Sequence, residues 1–224
     1  MDNLEQVPFS AIEFADNPEP RCPCLLLVDT SASMRGKPIE ELNEGLIAFK
    51  DELAADSLAS KRAEIALITF GPAQIQTDFQ TADVFYPPFL TANSDTPMGS
   101  AIELGLEILN QRKNIYKQNG VDYYRPWIFL ITDGAPTDSW KNAAAQVREG
   151  EEKGAFSFFA VGVEGANLEI LEQISVRKPL MLKELRFRDM FLWLSKSMKS
   201  VSQSRPGEAV PLENPTTPDG WASV

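Results

Sequence analysis

Five oxygen-bearing residues stand where a metal ion could use them. The stretch Leu25 to Ser33 reads LLLVDTSAS: four apolar residues end in Asp29, and hydroxyls follow at Ser31 and Ser33. Thr96 lies in SDTPMGS, and Asp133 in ITDGAPTD. Carboxylates and hydroxyls are hard donors, which suit magnesium, calcium or manganese. Two carboxylates brought close repel each other, and a divalent ion removes that penalty. A set of three hydroxyls and only two acids leaves the ion electron-poor, so an acid from outside can complete its shell. Asp29, Ser31, Ser33, Thr96 and Asp133 are therefore the candidate metal ligands, with magnesium first and manganese or calcium as alternatives.

Other chemistries find less support. The chain has no histidine, which removes Ser-His-Asp and Cys-His nucleophilic catalysis and imidazole general bases. Cys22 and Cys24, in the order CPC, cannot make a structural zinc site without further ligands; they read as reduced thiols at the start of a strand. Lys37 follows Gly36, but the phosphate-loop pattern is absent, and Gly162 to Gly165 does not make a dinucleotide fingerprint. No cofactor other than the ion and no catalytic residue is expected. The one enzymatic alternative is a magnesium-dependent phosphohydrolase or phosphoacceptor with Asp29 as nucleophile. Against it, Ser31 stands where the haloacid-dehalogenase pattern wants a second acid. Thr137 and Ser100 read as local turn or cap residues, and Asp138 as an exposed acid near a helix start, with a place behind the metal ligands as its alternative.

The elements that must position the five donors alternate along the chain. Buried strands are expected over residues 22–29, 64–70, 127–132 and 155–163, and a more exposed strand over 74–79. Helices are expected over 39–53, 99–116, 139–153, 167–174 and 187–201, with a short strand at 180–182. The piece Val7 to Ala15 alternates partly and reads as an edge strand. Alternation of strands with helices implies a mostly parallel, doubly wound α/β sheet, whose ligands sit at the carboxyl ends of the strands.

Length and composition fit one domain. The chain has 224 residues, 43% hydrophobic and 24% charged. It is expected to form a domain over 1–204 with a proline-bearing polar tail over 205–224. Trp221, in that tail, is either a docking anchor or a side chain folded back on its own domain. Net charge is −11, from 21 basic and 32 acidic residues, which disfavours nucleic acid and anionic membrane surfaces as partners. The N-terminus lacks the basic and apolar regions of a signal peptide, so a cytoplasmic location is expected.

The pattern D-x-S-x-S, then T, then D, each after the expected element, resembles the metal-ion-dependent adhesion site of von Willebrand factor A-type (VWA) domains. Asp29, Ser31 and Ser33 match its first part, Thr96 its second and Asp133 its third. The resemblance covers roughly residues 22–200. It implies a sheet of about six strands, mostly parallel with one short antiparallel edge strand. It also implies a binding or scaffold module whose ion bridges to a partner's acidic side chain. The contexts SASMRGKPIEELNEGL and ITDGAPTD are most similar to the bacterial cytosolic TerY-type proteins of tellurite resistance and stress response. That resemblance implies a protein kinase or a PP2C-type phosphatase as partner.

Overall fold

The computed structural model describes residues 9–223. Four consecutive parallel strands form its centre: β2 (Ala63–Phe70), β1 (Cys22–Asp29), β4 (Trp127–Thr132) and β5 (Ser157–Gly162). The antiparallel β3 (Gln74–Thr81) closes one edge. At the other, β6 (Leu180–Leu182) runs parallel to β5 and β7 (Ala222–Ser223) antiparallel to β6. The order is β3-β2-β1-β4-β5-β6-β7. The α/β, doubly wound reading thus stands, with seven strands rather than about six and a second antiparallel strand from the C-terminal segment.

Apolar runs form the central strands because both faces of the sheet are covered. Successive side chains of β1 point to opposite sides. Leu26 and Val28 meet α2 (Lys37–Ala54) and α7 (Phe187–Ser202) through Leu42, Leu46, Phe49, Phe191 and Leu194. Leu25 and Leu27 meet α4 (Met98–Gln118) and α5 (Lys141–Glu152) through Ile102, Leu106, Leu109 and Val147. Cys22 and Cys24 are free and fully buried at the start of β1; burial pushes the Cys22 thiol up to about 12 and raises that of Cys24.

Three expectations change. The first concerns Val7 to Ala15, read as an edge strand: Phe9–Asp16 is the helix α1, and Val7 and Pro8 lie outside the described residues. Phe14 of this helix is buried edge-on against Tyr116, with ring centroids 6.1 Å apart. Second, the short helix α3 (Ala59–Arg62), ahead of β2, has no counterpart in the pattern reading. Third, residues 205–223 return to the domain. Of the two alternatives for Trp221, the structure takes the folded-back one. Its ring is 3% exposed and lies 5.6 Å from that of Trp193. The backbone continues into β7, and the Lys183 amide donates to the Trp221 carbonyl at 3.0 Å.

The Trp221 indole N–H is buried without a hydrogen-bond partner among the described residues. Its contribution is therefore apolar contact area, and its N–H is a liability. Trp221→Phe removes that unpaired donor along with some volume, so it should cost less than about 1.5 kcal/mol. Urea unfolding of the variant checks this.

Candidate metal centre

The parallel pairing of β1 with β4 sets Val28 opposite Ile131, so both strands end at one rim. Asp29 and Asp133 leave the sheet there. Asp29 is fully buried. Its Oδ1 accepts from the Ser31 amide at 2.8 Å, and its Oδ2 accepts from the Thr132 hydroxyl at 2.6 Å. The 3-10 turn Ala32–Met34 then bends the chain back, leaving Ser31 buried and Ser33 exposed. The Ser31 and Ser33 hydroxyl oxygens are 3.0 Å apart, and Ser33 Oγ donates to Asp133 Oδ1 at 2.8 Å. Four of the five candidates thus form one polar cluster made from two strand ends.

Thr96 reaches the same rim from the loop ahead of α4. Its amide donates to Thr137 Oγ1 at 3.1 Å, and its carbonyl accepts from the Thr137 amide at 2.9 Å. These bonds set it against the turn that follows Asp133: a Cβ on Gly134 would stand 3.7 Å from the Thr96 hydroxyl. That hydroxyl has no hydrogen-bond partner among the described residues. The loop is itself tied to the end of β1, since the Asn93 amide donates to the Thr30 carbonyl at 2.6 Å and the Ala32 amide to the Ser94 carbonyl at 3.0 Å.

Two residues were missed by pattern reading. Thr132 is fully buried and orients Asp29; its place at the end of β4, beside the end of β1, is a signal that strand pairing alone supplies. Thr137, read as a local turn residue, instead ties two loops 41 residues apart.

The electrostatics are unusual for a buried cluster. Asp29 is 0% and Asp133 8% exposed, yet neither has an ion-pair partner among the described residues. Desolvation raises the Asp29 pKa above its ordinary value near 3.8; hydrogen bonds from Thr132 and Ser31 oppose this, and the charge of Asp133 adds to it. Desolvation likewise raises Asp133, against the hydrogen bond from Ser33. An acid whose folded pKa is raised costs stability as pH climbs past its unfolded value, and the cost is complete above the folded value. At neutral pH both carboxylates therefore strain the metal-free fold, and a bound cation would reverse the sign. Among the described residues no three His, Cys, Asp or Glu side chains cluster as ligands; the donor set here is two acids with three hydroxyls. Its chemistry fits a hard divalent ion that keeps water in part of its shell.

The comparisons with known proteins agree with this architecture. The model of the von Willebrand factor type A domain matches residues 25–189. Among solved structures, the chain is similar to the pilus adhesin SpaC of Lactobacillus rhamnosus GG, with TM-score 0.64 and 13% identity over 81% of this chain. This chain spans only 30% of that one. The vWF domain of the type V pili tip protein Mfa5 from Porphyromonas gingivalis matches with TM-score 0.57 and 11% identity, over 86% of this chain and 99% of that one. The TFIIH p34 N-terminal domain matches with TM-score 0.54 and 14% identity, over 81% and 99%. At such identities the structural neighbours speak to fold alone, and no curated protein matches by sequence. The family model spans most of the chain and the fold agrees with it, so this chain belongs to the von Willebrand factor type A domain family.

Proposed function

We propose that this protein is a non-enzymatic, metal-dependent protein-binding module that holds a divalent cation through Asp29, Ser31, Ser33, Thr96 and Asp133. Domains of this family generally mediate protein interactions and often have a metal site. The observation that carries the reading for this chain is the pair of buried carboxylates without a cationic partner among the described residues. Elsewhere the same chain neutralises a buried acid with two arginines, at Glu64. At the rim the described residues supply hydroxyls and a backbone amide instead. An unneutralised buried charge is expensive, and a divalent ion supplies the missing positive charge. Ser31, Ser33 and Thr96 would then be neutral ligands, and the two acids would bind directly or through water. The ion, when bound, acts as a Lewis acid for a carboxylate from another protein.

The phosphoacceptor alternative is weaker in this geometry. Both oxygens of Asp29 already accept hydrogen bonds and the residue is fully buried, so neither is presented to a phosphoryl group.

In its finer form the proposal follows the sequence resemblance. The ion is magnesium, the setting is a tellurite or other stress response in the cytoplasm, and the partner is a protein kinase or PP2C-type phosphatase offering an acidic side chain. Free, buried Cys22 and Cys24 suit a reducing compartment. Among the described residues no helix is long and apolar enough to cross a membrane. The test is capture of the candidate kinase and phosphatase by the immobilised protein. With magnesium, wild type should retain one of them; chelator or Thr96→Ala should reduce retention at least about tenfold, the order reported for disturbed metal sites. Retention indifferent to both would overturn the proposal.

A further inference from the structure

We propose that Asp138 is the positioning residue of this metal centre: by capping α4 from the neighbouring loop, it holds Thr96 within reach of the ion that Asp133 binds. The inference rests on the metal reading above and adds to it a residue outside the donor set.

The first amides of a helix have no partner within it. Pro97 occupies the cap position of α4 and offers no side-chain acceptor. The acceptor comes instead from a loop 38 residues and more away. Asp138 Oδ1 accepts from the Gly99 amide at 2.9 Å, and Oδ2 accepts from the Ser100 amide and the Ser100 hydroxyl, both at 2.7 Å. A carboxylate is also favoured at a helix N-terminus by the helix dipole. The contact is tight as well as polar. A Cβ on Gly99 would stand 2.4 Å from the Ser139 carbonyl oxygen and 2.8 Å from the Trp140 Cα, so only glycine lets α4 approach the loop this closely.

The consequence for the centre follows from what does not hold Thr96. Its hydroxyl bonds to none of Asp29, Ser31, Ser33 or Asp133, which hold one another. Its place is set by its backbone, through the two bonds to Thr137 and the capped first turn beyond it. One loop therefore does two things: it supplies Asp133 at its start, and through Thr137 and Asp138 it grips the segment that carries Thr96. Without Asp138 the first turn of α4 is released. Thr96 must then be ordered when the ion binds, and that cost appears in affinity.

A helix cap with no bearing on the ion would lower stability alone, so the experiment needs a control of the same kind. Asp56 is an acid whose Oδ1 accepts from the Leu58 and Ala59 amides at 3.0 and 2.8 Å. It caps α3 ahead of β2, at the opposite end of the sheet. The chelator-stripped wild type, Asp138→Ala, Asp138→Asn and Asp56→Ala are titrated with Mn2+, with binding read by the loss of the free-ion paramagnetic resonance signal and stability by urea. Expected are a Mn2+ dissociation constant raised ten- to a hundredfold in Asp138→Ala, the range for lost outer partners of a metal site, and a smaller rise in Asp138→Asn, which keeps one acceptor oxygen. Asp56→Ala should lose stability and keep its affinity. Wild-type affinity in Asp138→Ala, or equal weakening in Asp56→Ala, would overturn the proposal while leaving the metal reading intact. Absence of Mn2+ binding in the wild type would overturn both.

Discussion

Glu64→Ala should lower the unfolding free energy by about 3–5 kcal/mol, the cost of breaking a buried ion pair from one side. Glu64 is fully buried near the start of β2. Its Oε1 accepts from Arg21 Nε at 2.8 Å and Arg112 Nη2 at 2.7 Å; its Oε2 accepts from Arg112 Nε at 2.8 Å and from the Tyr116 hydroxyl. Arg21 is itself fully buried and Arg112 nearly so. Both guanidiniums lie over the Phe14 ring, at 5.1 and 5.3 Å from its centroid. Burial works against the charge on Arg112, and the hydrogen bonds and charge of Glu64 outweigh it, so its pKa is raised. Removing the carboxylate would leave two like charges facing each other out of water, with Glu13 the only acid remaining on Arg112 among the described residues. For a chain of this size the loss corresponds to a fall of about 6–20 °C in melting temperature. Glu64 is level with Pro23 of β1, six residues before Asp29 and so about 20 Å from the rim. Calorimetry should therefore show a large loss of stability with an unchanged response to magnesium.

The opposite pairing of effects is expected at Asp133. In the metal-free protein its carboxylate is desolvated and adds to the charge that disfavours ionised Asp29. Asp133→Asn keeps an acceptor for the Ser33 hydroxyl and removes that repulsion. With chelator at neutral pH the variant should be as stable as the wild type or more so. With ion at about a hundred times its dissociation constant, the wild type should gain about 2.7 kcal/mol, or roughly 5–10 °C, and Asp133→Asn almost none. A site that weakens the empty fold and strengthens the filled one is a signature of selection for binding rather than for stability. The pH dependence follows with the same sign. As pH falls into the carboxylate range, protonation relieves the metal-free fold and competes with the ion, so the gain on adding magnesium should shrink. That shrinkage should begin at a higher pH than ordinary carboxylates would give, since both pKa values are raised.

Much of this arrangement was legible in the residues themselves. The runs that form β1 and β4 end where pattern reading puts them, because a strand buried on both faces needs an unbroken apolar run and the polar residue at its end marks the rim. What escaped is what long-range contact decides. Val7 to Ala15 alternates enough to suggest a strand, but Phe14 belongs to a helix that covers Tyr116 and the buried arginines. The segment 205–223 is polar and proline-bearing, and its return to the domain depends on a few side chains, Trp221 and Ala222 above all, which are buried beside Trp193 and β6. Arg21, Arg112 and Tyr116 lie 43, 48 and 52 residues from Glu64, whose carboxylate they share, so no local spacing around Glu64 announces them. Asp138 looks like a local cap and serves a helix that precedes it by 38 residues.

The central claim, that these five residues hold a divalent ion, is tested most directly by calorimetric titration of magnesium into chelator-stripped wild type and Asp133→Asn. The account predicts a single site in the wild type and a loss in the variant beyond the roughly 10–100-fold typical of outer partners. No heat of binding in the wild type, or equal affinity in the two proteins, would contradict it.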